Sequence, residues 1–237
     1  GNFRVLDTLA TLAFDFPRRA EFFRSELEQF LLLVRDQKLD PLGPRGSYAG
    51  AMGVPQFMPG SIRRHAVDFD GDGRIDLMRN VGDAVGSVAS FLANHGWRPG
   101  EPTHFQARLA DESKIAPLIE AGIEPRFTIA QLGAYGITSP QKVPAAIPLA
   151  LIDLPNGDEP TVYTLGAPNF YVITRYNRSV MYAMAVHQLS QLLADARGDP
   201  HAAVRVRHLP RIRSADHAHA GAGIGAEGDH RFQFVGF

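Results

Sequence analysis

The sequence contains no cysteine, a single tryptophan and no long apolar run. Without cysteine, the 237-residue chain has no disulfide, no thiolate metal site and no cysteine nucleophile. No stretch of about 18 apolar residues is present, so no segment of the given sequence reads as a membrane-spanning helix. Lys and Arg total 24 against 25 Asp and Glu, a net charge of -1. A balance this even provides no overall basic field, and we expect no nucleic-acid partner.

Apolar residues recur at helical spacing near both ends of the first 197 residues. These stretches are 5–13, 23–34, 85–92 and 181–193. Between them, Phe105, Ala107 and Leu109 alternate with polar residues, and Pro155-Asn156-Gly157 separates two strand-like runs. The fold class predicted is α+β.

The change of pattern also predicts a division into domains. Segments 1–97 and 169–197 are expected to form a mainly α domain, with 98–168 as a small inserted α+β domain. Segment 198–237 is rich in Gly, Ala and His without periodicity, and we expect a flexible tail there.

Segment 41–61 combines a high content of Gly and Pro with hydrogen-bonding and flat aromatic side chains. It holds five Gly and four Pro among 21 positions, which excludes a long helix and indicates a loop that passes close to other groups. Ser47, Tyr48, Gln56 and Phe57 lie within it and offer the polar and flat apolar groups that sugars require. The sequence therefore favours a binding loop over a purely structural one.

A second loop, 68–76, is strongly acidic and has the spacing of an EF-hand cation loop. Gly73 stands at the sharp turn, and Arg79 occupies the position where a bidentate Glu is usual. The candidate ligands are the side chains of Asp68, Asp70, Asp72 and Asp76 and the backbone carbonyl of Arg74. Asp83 is either a further ligand or a cap for the following helix. We expect a structural cation, with a solvated acidic turn as the alternative.

Several ordered motifs resemble the membrane-bound lytic murein transglycosylase B family. They include Gly46-Ser47-Tyr48-Ala49-Gly50-Ala51-Met52-Gly53-Val54-Pro55-Gln56-Phe57-Met58-Pro59, together with Leu6–Leu12, the loop 68–77 and 169–177. The resemblance implies a lysozyme-like α domain with an inserted β-rich domain and an EF-hand-like loop that holds Ca²⁺, or Na⁺ instead.

The activity that the resemblance implies is non-hydrolytic cleavage of peptidoglycan. Such enzymes cut the β-1,4 bond between N-acetylmuramic acid and N-acetylglucosamine and leave a 1,6-anhydro end. The implied location is the bacterial periplasm or outer-membrane envelope. The implied partners are the glycan strand and other cell-wall enzymes, and a monomer is expected.

The catalytic Glu of this family belongs to a motif upstream of the segment that matches Gly1–Leu12. No carboxylate of this sequence maps onto it, because Glu21, Glu26 and Glu28 lie on a helix that the family does not use for that role. We therefore expect the chain as given to be inactive by itself. The alternative function is a non-catalytic, calcium-stabilised module that binds peptidoglycan.

The resemblance also implies substrate-binding residues. Ser47 and Gln56 are expected to hydrogen-bond the sugar. Flat faces for sugar C–H groups are expected from Tyr48, Phe57, Tyr171 and Tyr176, with Asn177 nearby in the same motif. Packing roles remain open for Tyr48, Phe57 and Tyr176, and a loop-bracing role for Gln56.

Arg18 and Arg19 follow Pro17 at the start of a helix, where the helix dipole disfavours cations. Either carboxylates of peptidoglycan or an internal partner such as Glu21 would offset that cost. The sequence leaves both readings open.

Overall fold

The structure is a computed structural model that describes residues 1–198. These residues form two compact units, and we call Gly1–His95 the helical unit and residues 96–198 the mixed unit. The tail predicted for 198–237 lies outside the described residues except for Gly198. Within residues 1–198, no helix combines the length and apolar character needed to cross a bilayer.

The helical unit consists of helices joined by irregular loops. Its elements are β1 (Phe3–Arg4), α1 (Val5–Phe14), α2 (Ala20–Gln37), β2 (Arg45–Gly46), α3 (Pro59–His65) and α4 (Val81–Asn94). A 3-10 turn, Pro17–Arg19, separates α1 from α2 because Pro suits a first turn and disfavours helix before it.

The core of the helical unit is the seam between α1 and α2. Its buried side chains are Val5, Leu9, Ala13, Phe23, Phe30 and Val34, which recur at intervals of four or seven residues on the two helices. The first half of loop 41–61 is tied to the segment that contains β1 and α1. β2 pairs antiparallel with β1, and Gly50 approaches Leu9 so closely that a Cβ there would lie 2.6 Å from Leu9 Cδ2.

The mixed unit is built on a three-stranded antiparallel sheet in the order β3-β7-β6. Its strands are β3 (His104–Gln106), β4 (Arg108–Leu109), β5 (Ile137–Thr138), β6 (Ala150–Asn156) and β7 (Glu159–Gly166), with β4 and β5 forming a separate pair. Its helices are α5 (Ala116–Glu120), α6 (Ile129–Gly133), α7 (Pro168–Tyr176) and α8 (Val180–Ala196), with a 3-10 turn at Glu112–Lys114. The prediction of an α+β chain is confirmed.

Alternation along β6 places two hydrophobic clusters in the mixed unit. Leu151 packs with Leu118 and Leu132 in one cluster. Ala150, Ile152 and Leu154 pack in the other cluster with side chains of α7 and α8.

This packing differs from the predicted domain division, in which 169–197 joined 1–97. In the structure α7 and α8 belong to the mixed unit, because Phe170, Ile173 and Met184 cover one set of β6 side chains. Insertion of 98–168 into one larger domain stays a prediction.

Candidate functional site

The glycine- and proline-rich loop 41–61 is held in shape by its own hydrogen bonds. The Ser47 hydroxyl accepts from the backbone N–H groups of Ala49 (3.2 Å) and Ala51 (3.1 Å), and Ser47 N–H donates to Ala51 O at 2.8 Å. Met52 and Phe57 pair as an antiparallel bridge further along. Ser47 is buried, so its hydroxyl serves the turn in this structure. Its predicted sugar contact stays a prediction.

Gln56 adopts a backbone conformation that is rare for a residue with a side chain. Its φ is +52°, in the left-handed region. Its side-chain Nε2 donates to Gly53 O at 2.7 Å, and its backbone N–H reaches the same carbonyl at 3.1 Å. This geometry is compatible with both roles that the sequence leaves open for Gln56, loop bracing and sugar binding. The amide braces the loop through Nε2, while Oε1 has no hydrogen-bond partner among the described residues.

The two aromatic residues of this loop are placed differently. Tyr48 is 52% exposed, so its ring is available to a ligand. Phe57 is buried and its ring centroid lies 5.7 Å from that of Phe91. The geometry favours a ligand-facing role for Tyr48 and the packing alternative for Phe57.

The arginines at the start of α2 also differ from one another. Arg18 is exposed and makes no ion pair within the described residues. Arg19 is half-buried, with its guanidinium carbon 4.4 Å from the Phe22 ring centroid and 5.2 Å from that of Phe23. A cation–π contact therefore supports Arg19. Anion binding by Arg18 and Arg19 stays a prediction.

The acidic loop 68–76 is folded around its own carboxylates. Asp68 Oδ1 accepts from Gly71 N–H (2.7 Å), and its Oδ2 accepts from Gly73 N–H (2.8 Å). Asp70 accepts from the amide of Asn80 at 2.6 Å. The Asn80 hydrogen bond, together with one from Asp72 N–H to Asp70 Oδ1 at 3.2 Å, holds the pKa of the Asp70 carboxyl below its usual range.

Asp83 braces the acidic loop from helix α4. It is completely buried, and its two carboxylate oxygens accept from Phe69 N–H (2.9 Å) and Asp76 N–H (2.8 Å). Its own N–H is capped by Asn80 Oδ1 at 3.3 Å. Asp83 thus closes both ends of the loop onto the first turn of α4.

The oxygens of this loop fit a hard cation. One carboxylate oxygen from each of Asp68, Asp70 and Asp83 lies within 4.8 Å of the other two. Calcium prefers such oxygen ligands, and carboxylates this close repel each other unless a cation lies between them. Asn80 caps α4, so the helix-cap alternative for Asp83 is wrong, while its role as a further ligand stays a prediction.

The two loops of the helical unit meet at Gly53 and Leu77. Val54 N–H donates to Leu77 O at 2.8 Å, and a Cβ on Gly53 would lie 2.8 Å from the same oxygen. Only glycine fits this approach without displacing backbone, and its φ of +72° also favours glycine. The exit of the acidic loop therefore supports the turn that carries Gln56.

Glu26 is a further polar residue of this region to which sequence reasoning gave no role. It is buried on α2, and its Oε2 accepts from Gly60 N–H at 2.7 Å. Burial raises the pKa of the Glu26 carboxyl, while the Gly60 hydrogen bond and the nearby Arg64 partly oppose that rise. The signal was present, because Glu26 lies three residues after Phe23 and four before Phe30 on the apolar stripe of α2.

Three predicted site residues lie in the mixed unit, on α7 and at its end. Tyr171 is half-buried, and the guanidinium carbon of Arg175 lies 5.7 Å from its ring centroid. Tyr176 is half-buried, and its burial raises the pKa of its phenol. Asn177 is buried and accepts from Ser179 N–H at 3.0 Å, which shapes the start of α8. A sugar contact for all three residues stays a prediction.

Comparison with known proteins places these features in a family. The family description "Transglycosylase SLT domain" matches residues 1–191. The membrane-bound lytic murein transglycosylase B of Escherichia coli (strain K12) is 48% identical over 197 residues, which are 83% of this chain and 53% of that protein. The chain therefore spans about half the length of the curated relative it matches.

Solved structures of ligand complexes also match, and they bear on the site. The structure of the Escherichia coli lytic transglycosylase Slt35 in complex with calcium matches with a TM-score of 0.72 and 48% identity, covering 84% of this chain and 61% of that one. The structure of SltB3 from Pseudomonas aeruginosa in complex with NAG-anhNAM-pentapeptide matches with a TM-score of 0.66 and 34% identity, covering 81% and 51%. The resemblance read from the sequence motifs is confirmed, and the chain belongs to the transglycosylase SLT domain family.

Proposed function

We propose that this chain is the glycan-binding part of a lytic transglycosylase of the bacterial envelope that acts on peptidoglycan. The observation that carries the proposal is the left-handed Gln56, held by Gly53 in a loop that also exposes Tyr48. Strained backbone of this kind persists only where the surroundings maintain it, and it is concentrated at functional sites. The family match over residues 1–191 and the muropeptide bound by SltB3 support the same reading.

The proposed reaction needs one carboxyl group and no water. A neutral Glu donates its proton to the leaving glycosidic oxygen as the bond to C1 of N-acetylmuramic acid breaks. The acetamido group stabilises the positive charge at C1, and the 6-hydroxyl oxygen then closes on C1 while its proton returns to the carboxylate. Ordinary glycosidases need two carboxyl groups because a nucleophile or a water must also be supplied.

We place this Glu outside the given sequence, as the family resemblance implies. Glu26 does not fit the role, because its Oε2 is engaged by Gly60 N–H and its carboxyl packs inside the helical unit. What this chain supplies is binding. Tyr48 offers a flat face, the Oε1 atom of Gln56 accepts from a sugar hydroxyl or amide, and Arg18 attracts carboxylates of the peptide stems.

We further propose that a structural Ca²⁺, or Na⁺ in its place, binds in the acidic loop. Asp68, Asp70 and Asp83 would hold it through oxygens that lie within 4.8 Å of one another. Asp72, Asp76 and the Arg74 carbonyl are the further ligands that the loop spacing predicts, and Asp83 also braces the loop. Bound there, the ion would neutralise the carboxylates and fix the loop. The Leu77 to Val54 hydrogen bond transmits that order to the turn that carries Gln56.

Murein sacculi provide the direct test. The chain as given is expected to bind sacculi without releasing 1,6-anhydromuramyl products, and the protein extended by its upstream coding sequence is expected to release them, as detected by mass spectrometry. Gln56→Ala should weaken binding by about tenfold or less, the contribution of one hydrogen bond. Gln37→Ala, an exposed glutamine of α2, is the matched control.

The outcomes separate the two candidate functions. Binding without cleavage by both forms favours the non-catalytic module. Sacculi binding that is the same for Gln56→Ala, Tyr48→Ala and the unaltered chain contradicts the proposed site.

A further inference from the structure

The mixed unit contains a cavity that none of the predicted site residues lines. Its volume is about 470 Å³, within the range of about 300–1,000 Å³ typical of small-molecule sites. It lies between β3 and α8 and includes Trp97, His104, Gln141, Lys142, His187 and Gln191 in its lining.

One wall of this cavity is polar but uncharged. The Thr103 hydroxyl oxygen lies 3.0 Å from His104 Nδ1 and 3.1 Å from His187 Nδ1. Because the hydroxyl has one hydrogen, one ring accepts it while the other ring donates its own N–H to the oxygen. Burial and the neighbouring His187 lower the pKa of His104 to about 3, so this ring is neutral at physiological pH.

Two other groups of the lining, one acceptor and one cation, indicate which chemical groups a ligand would need. Gln191 Oε1 is buried and has no hydrogen-bond partner within residues 1–198, and such an acceptor is costly to leave without a donor. Lys142 is exposed at the cavity and has no carboxylate within 4.0 Å among the described residues, whereas Lys114 pairs with Asp111 at 3.4 Å. The carboxylate of Glu101 also lines the cavity, but it pairs with Arg98 at 3.5 Å. The cavity therefore offers the unpaired positive charge of Lys142 and one acceptor that lacks a donor.

Trp97 supplies the apolar surface of the same cavity. It is half-buried and packs against the cluster formed by β6, α7 and α8, so its ring is held in place. An indole face of this kind suits the C–H groups of a sugar ring or a short aliphatic chain.

We propose that this cavity binds an amino sugar that carries a peptide carboxylate, a fragment of the size of one muramyl peptide. The carboxylate pairs with Lys142, an N–H or O–H of the ligand donates to Gln191 Oε1, and the sugar ring or an alanyl methyl group lies on Trp97. The inference rests on the proposed function, because peptidoglycan is the polymer that supplies such fragments. It adds a second binding site to the one proposed in loop 41–61.

Trp97 makes the proposal easy to test, because it is the only tryptophan of the chain. Titration with N-acetylmuramyl-L-alanyl-D-isoglutamine is expected to give a saturable change in tryptophan emission. The neutral disaccharide of N-acetylglucosamine and the free dipeptide L-alanyl-D-isoglutamine are expected to bind more weakly, since each lacks one half of the contacts. Equal affinity for the free dipeptide would overturn the sugar part of the proposal.

Variants assign the effect to the cavity. Lys142→Met is expected to weaken binding by about threefold to tenfold, the effect of one partly exposed charge pair. Lys114→Met is the matched control and should leave the titration unchanged. Gln191→Leu removes the acceptor without removing volume and should also weaken binding, with the melting temperature recorded to verify folding. An unchanged titration in both Lys142→Met and Gln191→Leu, or no saturable signal at all, overturns the proposal.

The test also separates this site from the proposed function. If Gln56→Ala impairs sacculi binding while Trp97 gives no signal, the cavity proposal fails and the loop proposal stands. If Trp97 responds in a Lys142-dependent way while Gln56→Ala binds sacculi normally, the reverse holds.

Discussion

Among the described residues, the buried polar side chains of the mixed unit are neutral, whereas the helical unit buries two carboxylates beside its neutral hydroxyl groups. In the helical unit the buried carboxylates of Glu26 and Asp83 accept from backbone N–H groups of neighbouring loops. In the mixed unit the fully buried Asn169 uses a neutral amide instead. Its Oδ1 accepts from Arg98 N–H at 2.8 Å, and its Nδ2 donates to the carbonyls of Arg98 (2.8 Å) and Glu101 (2.9 Å).

The difference follows from what each loop presents. A carboxylate only accepts, so it suits the acidic loop and the start of α3, where backbone donors point inward. An amide both donates and accepts, so it suits the Arg98–Glu101 segment, which presents a donor and two acceptors. The stability of the helical unit is therefore expected to change with pH and with cation concentration. The stability of the mixed unit is expected to depend on hydrogen bonds between neutral groups.

The largest loss of stability is expected from a charge placed in the interior of the mixed unit. Asn169→Asp keeps the shape but turns the donor toward two carbonyls into an acceptor, and the buried charge has no partner. We expect a loss of about 3–5 kcal/mol in the free energy of unfolding at neutral pH, measured with denaturant. Part of it should return under acidic conditions, where a protonated Asp again donates. Asn2→Asp, at an exposed position, is the control, and an equal loss there would contradict the prediction.

The opposite substitution, of a buried carboxylate by an amide, tests the helical unit. Asp83→Asn turns one acceptor into a donor that faces the N–H of Phe69 or Asp76, and we expect a loss of about 2–4 kcal/mol. Hydrogen exchange of these two amides should accelerate. Asp15→Asn, an exposed Asp of the same unit, should change stability by less than about 0.5 kcal/mol. Unchanged protection at Phe69 and Asp76 would show that Asp83 does not brace the loop.

Much of this arrangement is predictable from the sequence, and the reason differs by element. The helical stripes and the acidic loop depend on local spacing, so α1, α2 and the positions of Asp68 and Asp70 follow directly from the pattern. The placement of α7 and α8 on β6 depends on contacts between distant segments, which periodicity alone does not encode. Likewise, the buried roles of Ser47 and Phe57 depend on which way the turn faces.

Calcium is expected to stabilise the helical unit selectively. At a concentration of about 100 times its Kd, a ligand of the folded state adds about 2.7 kcal/mol. Calcium should therefore slow hydrogen exchange in 68–83 and raise the melting temperature, and a chelator should reverse both. Asp70→Asn should remove most of the response. Equal protection of 68–83 with calcium and with chelator would contradict the proposed cation site.

A smaller effect is expected from the pH dependence of Glu26. Because burial raises its pKa above the ordinary 4.5, the folded state holds this proton more tightly than the unfolded state does. Its contribution to stability is present below pH 4.5 and is lost as the pH rises through the folded pKa. Glu26→Gln should flatten this fall, with a change below about 2 kcal/mol because Gly60 and Arg64 offset part of the cost.

The control for this titration is Glu21→Gln, at an exposed position five residues earlier on α2. Denaturant unfolding at a series of pH values provides the measurement. A slope above pH 4.5 that is the same in Glu26→Gln and in the unaltered chain would show that another group is responsible.

The smallest effect concerns the backbone of Gln56 and distinguishes bracing from binding. Gln56→Gly and Gln56→Ala both remove the amide, but only Ala keeps a Cβ at a φ of +52°. The free energy of unfolding of Gln56→Gly should therefore exceed that of Gln56→Ala by about 1 kcal/mol. The control pair at Gln37 in helix α2 should show the opposite order, with Gln37→Ala more stable than Gln37→Gly. If the amide binds sugar, both variants lose sacculi affinity equally despite this difference. If it only braces the loop, the affinity follows the stability, and Gln56→Gly binds better than Gln56→Ala.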